Sequence, residues 1–199
     1  MKSNVCKIEN GTRDLEAILK ESERVAAYNG LSHKQSLRLR LLCEEIDGML
    51  PNIIDDFDGD FWIEYENGVC KIVASIRIPE LTGAKKAELI KVARSKKNAA
   101  AVGIVGKIRN AIENYFLSEE TELAIDAAAG ALNLSTGLSD GVDFSSVWTL
   151  AGYRNAVSKD EQAEEWDELE KSVIASASDD VIIGVKGKQA TVTVVKKFA

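Results

Sequence analysis

The chain has 199 residues, 45% of them apolar and 29% charged, which is enough to bury one core and too ordinary for a disordered polypeptide. Its net charge of −7 repels phosphate backbones, so nucleic acid is excluded as a general partner. No apolar run approaches the roughly 20 residues that span a bilayer, no hydrophobic stretch follows the charged start, and the expectation is a cytoplasmic protein without membrane contact.

Residues 12–28 place Leu15, Ile18, Leu19, Val25 and Ala26 at helical spacing, and Asn29-Gly30 ends that helix. Ser32 caps a second helix through Leu37, Leu41, Leu42, Ile46 and Met49, which Pro51 is expected to stop. An acidic loop over 55–60 follows. Residues 61–65 and 69–76 then read as two strands joined by Glu66-Asn67-Gly68. Helical composition returns over 84–95, a small-residue loop covers 96–103, and Ile104, Ile108, Ala111, Ile112, Tyr115 and Phe116 mark another helix.

Residues 118–158 show no clear period and read as an insertion within a single domain that spans 1–199. A helix is expected over 160–176, carrying Trp166, Leu169 and Val173. The last pair of strands, 181–185 and 191–195, turns at Lys186-Gly187-Lys188. Hairpins provide no crossover for parallel pairing. The expected fold is therefore α+β, a two-layer sandwich of a mixed, mostly antiparallel sheet with helices on one face. Cys6, Cys43 and Cys70 are isolated, and with one histidine in the chain no metal site is expected.

Two segments carry a resemblance. Residues 41–49, Leu-Leu-Cys-Glu-Glu-Ile-Asp-Gly-Met, resemble the helix on which a glutamate is followed four residues later by a magnesium-binding asparagine. Residues 97–107, with Gly103 and Gly106, resemble a glycine-containing lid that precedes a helix. With the order of elements, this resembles the Bergerat-like ATP-binding domain of the GHKL superfamily, which includes histidine kinases and anti-sigma-factor serine kinases.

That resemblance implies ATP or ADP as ligand. Glu44 and Glu45 become candidate general bases, Glu80 and Gly83 stand where the adenine contact would be, and Lys97, Asn98, Gly103, Gly106 and Lys107 face the phosphates. The pattern is incomplete. Four residues beyond Glu44 stands Gly48, and four beyond Glu45 stands Met49, neither of which binds a hard cation. No aspartate occurs from Phe61 to Ile125 to accept from an adenine amino group. The reading is a degenerate, regulatory or protein-interaction domain with a protein partner, in an arrangement that allows a homodimer. The alternative is an ATP-dependent serine kinase or ATPase with altered nucleotide contacts.

Overall fold

The computed structural model describes residues 1–10, 14–54, 57–77, 103–118, 147–157 and 172–198. Six strands form one sheet: β1 (Cys6–Glu9), β2 (Asp58–Glu66), β3 (Val69–Arg77), β4 (Val147–Thr149), β5 (Asp180–Lys186) and β6 (Gln189–Lys197). Their order is β1-β2-β3-β6-β5-β4, and every pairing is antiparallel. The described helices are α1 (Leu15–Tyr28), α2 (His33–Ile53), α3 (Gly103–Ser118), α4 (Leu150–Val157) and α5 (Val173–Ala177).

Alternation along the strands decides which face the helices cover. Phe61 and Ile63 of β2, Ile72, Ala74 and Ile76 of β3, and Val192 and Val194 of β6 are buried together with Ile18, Leu39, Leu42, Ile46, Ile108 and Leu150 of the helices. Residues between them on each strand point to the opposite face, on which no described helix lies. The chain is an α+β sandwich with one helical layer, as its two hairpins imply.

The local rules hold at most ends. Asp14 caps α1 by accepting from the Ala17 N–H at 3.0 Å, and Ser32 with Gln35 forms a reciprocal capping box on α2. Asn67 and Gly68 both adopt positive φ, 49° and 80°, the two-residue turn whose twist matches the strands it joins.

Three expectations need correction. Pro51 does not stop α2, which continues to Ile53. The proline removes one hydrogen bond in the last turn, and burial of Leu50 and Ile53 carries the helix past it. No helix runs unbroken over 160–176, because Ser172 has ψ 128° and serves as the N-cap position of the separate α5. Of the loop expected over 55–60, residues 58–60 belong to β2. The expected helix over 84–95 and residue Trp166 lie outside the described residues.

Two strands were not anticipated. β1 is four residues long, too short for a period, and residues 1–3 prolong its contact with β2 through Ser3 N–H to Ile63 O at 2.8 Å and Tyr65 N–H to Met1 O at 2.8 Å. The register shifts by one between the Lys2 bridge to Glu64 and the Cys6 pairing with Phe61, and Asn4 turns within this bulge to hold Glu21 of α1. At the opposite edge, residues 147–157 form β4 and α4 and place Leu150 in the common core.

Candidate functional site

α2 presents its two adjacent glutamates on different flanks, because successive helical residues are about 100° apart. Glu44 points toward α1. Arg40 donates from Nη1 to Glu23 on α1 at 2.6 Å and from Nε to Glu44 at 3.2 Å, so one guanidinium ties two helices together. Glu45 is half-buried on the other flank. Four residues past Glu44, Gly48 is exposed, and a side chain built there would meet nothing within 4 Å. Gly48, where the resemblance would expect a magnesium-binding asparagine, has room around it and brings no ligand atom.

α3 packs against α2, and Gly103 is its first residue. Gly106 is buried and lies in the first turn, between the buried Ile104 and Ile108. Lys107 directs its ammonium to the Tyr153 ring on α4, 4.8 Å from the centroid. Glu44, Glu45, Gly103, Gly106 and Lys107 therefore sit on two contacting helices. Glu80, Gly83, Lys97 and Asn98 lie outside the described residues.

The thiols near these helices are poor nucleophiles. Burial pushes the Cys70 thiol up to about 12, and burial first, then the neighbouring Cys70 and Glu44, raises Cys43 well above its ordinary value. Partial burial, with Glu21 and Asp14 nearby, also raises Cys6.

The face of the sheet on which no described helix lies holds features that periodicity did not single out. Register aligns Trp62, Val73, Thr193 and Ile182 in one cross-strand row. Val73 is only 5% exposed although it points away from the helical core, and Lys2 lies 4.3 Å over the Trp62 ring. Two rows toward the other end of the sheet, Glu9, Asp58, Arg77, Gln189 and Lys186 share a register.

An open groove of about 650 Å³ lies at that end. Asp60 pairs with Lys7 at 2.6 Å and Asp58 with Arg77 at 3.3 Å, while Gln189 donates to the Ser75 hydroxyl at 2.6 Å. Gly59 lets β2 press against β3 here, since a Cβ on it would fall on the Ser75 carbonyl oxygen. The β2–β3 half of this arrangement follows from the Asn67-Gly68 turn, which fixes Asp58 opposite Arg77. The β3–β6 pairing has no such local signal.

Among the described residues, no group of three or more His, Cys, Asp or Glu side chains is placed to hold a metal, and no helix is long and apolar enough to cross a membrane. Comparison with protein-family models, curated proteins and solved structures finds no match.

Proposed function

We propose that the chain is a regulatory, protein-binding module on a GHKL-like frame, without magnesium-dependent phosphoryl chemistry of its own. The observation that carries this reading is on α2: the metal-ligand position is Gly48, open and empty of donor atoms, while Glu44 is engaged by Arg40 in fastening α1 to α2. Phosphoryl transfer depends on a metal that neutralises the phosphates and on a base aimed at the nucleophile. Glu44 is turned to Arg40 and α1 instead of toward a nucleophile, and a glycine coordinates nothing. The face on which no described helix lies carries the row of Trp62, Val73 and Ile182 bordered by charge, a composition that suits a protein contact.

Glu45 and the first turn of α3 support the competing reading, an ATP-dependent serine kinase or ATPase, because that glutamate is half-buried beside a helix whose N-terminal amides favour anions. Phosphate release from ATP with magnesium separates the two. The module reading predicts no release above that of the Glu45→Ala variant. Release that depends on magnesium and disappears in Glu45→Ala would replace it with the enzyme.

A further inference from the structure

The groove at the Glu9–Lys186 end of the sheet has opposite charges at its two ends. Along the row Glu9, Asp58, Arg77, Gln189 and Lys186 the centre is matched internally, since Arg77 pairs with Asp58 and Gln189 is held by Ser75. The ends are not matched. Glu9 and Lys186 are both exposed, and neither forms an ion pair among the described residues. Four strand spacings of about 4.8 Å separate them, roughly 19 Å in all.

The groove between these ends forms a trough lined by Lys7, Asp60, Ser75 and Gln189. Its second row runs from Lys7 and Asp60, which pair with each other beside Glu9, to the small residues Ser75, Thr191 and Gly184 toward Lys186. Nothing lies within 4 Å of where a Gly184 side chain would begin. The exposed Gln189 side chain and the Lys7–Asp60 pair present polar groups along the trough.

Resting on the module reading, we propose that this trough receives an extended segment of a partner protein, lying across the strands, with a basic residue at Glu9 and an acidic residue at Lys186. An extended chain rises about 3.3 Å per residue, so a span of roughly 19 Å sets these two residues about six positions apart. Charge complementarity at both ends fixes the direction in which the segment lies.

The test uses the intact chain, observed by amide chemical shifts, with capped peptides of about seven residues that carry Lys first and Glu last between serine and threonine spacers. Control peptides carry Lys at both ends, Glu at both ends, or Lys and Glu about two positions apart. The expected result is shifts at Ser75, Arg77, Gln189 and Thr191, with binding about tenfold tighter for the full-length Lys/Glu peptide than for any control. Lys186 is exposed at a hairpin end, so Lys186→Glu leaves the fold intact and should transfer the preference to the Lys/Lys peptide. Equal affinity for all four peptides, or shifts confined to the helices, overturns the proposal. Shifts at the same residues with inorganic phosphate overturn it in favour of a small-anion site. Magnesium–ATP moving amides of α2 and α3 would instead remove the module reading, whichever way the peptides behave.

Discussion

Gly59→Ala tests the packing that underlies the groove. Gly59 pairs with Ile76 on β3, and a Cβ at this position would overlap the Ser75 carbonyl oxygen and lie 2.9 Å from Ile76 Cα. Both obstacles are backbone, in a strand that is hydrogen-bonded on its other side to β6, so no side-chain rotation relieves them. Relief requires β2 and β3 to separate by about 1 Å, which weakens the ladder hydrogen bonds nearby. Overpacking of a tight site costs typically 1–3 kcal/mol, and with backbone as the obstacle the upper end applies, about 3 kcal/mol. For a chain of this length that lowers Tm by roughly 6–12 °C.

Urea unfolding followed by far-UV circular dichroism measures the loss directly, provided the slope of free energy against urea is unchanged. Gly48→Ala is the control, because its Cβ meets open space on an exposed helix face and should raise stability by about 0.5–1 kcal/mol. A Gly59→Ala protein with an unchanged midpoint would refute the close approach of β2 to β3, and with it the shape of the groove.

Three further outcomes follow from the same geometry. Partial burial raises the Asp179 carboxyl, but the Lys197 backbone N–H at 2.6 Å and the Lys196 ammonium at 3.2 Å outweigh it and hold its pKa below the ordinary value. A depressed carboxylate contributes stability above its unfolded pKa, near 4, and loses it as pH falls through the folded value. Asp179→Asn should therefore destabilise the chain at pH 7, by about 1 kcal/mol, and the gap in urea midpoint should close in strong acid; a pH-independent gap contradicts the assignment. Ellman's reagent should modify Cys6 slowly in the native protein and reach Cys43 and Cys70 only on unfolding, so rapid reaction of all three thiols would contradict their burial. A double-mutant cycle on Arg40→Ala and Glu44→Ala should return a coupling of about 0.3–0.5 kcal/mol, as exposed helical pairs do, and a coupling above about 1.5 kcal/mol would show that Glu44 is held far more tightly than its exposure allows.

The parts of the fold that were legible are those fixed by local chemistry. Asn67-Gly68 sets a hairpin register outright, Gly187 with φ 56° does the same for the last pair, and Ser32 announces α2. Partnership between the hairpins is a different matter, since β3 meets β6 across more than a hundred residues and no turn records it. β1 and β4 are too short to show a period and are strands because the sheet has edges to fill. Pro51 and Ser172 were misjudged for different reasons: core burial overrode a helix breaker at one, and the extended backbone of a serine precedes a short helix at the other.

For the candidate site, sequence reasoning singled out residues by likeness, on α2 and before α3. The groove residues carry no motif. Glu9, Arg77 and Lys186 stand at strand ends, where charge is the commonplace choice, and only the six-strand register brings them into one row.

Calorimetric titration of the folded chain with ATP, with and without magnesium, tests the central claim most directly. The proposed module reading, with Gly48 where the resemblance would expect a metal ligand, predicts no magnesium-dependent heat at millimolar nucleotide. Saturable, magnesium-dependent binding would contradict that account and return the chain to the nucleotide-dependent enzymes.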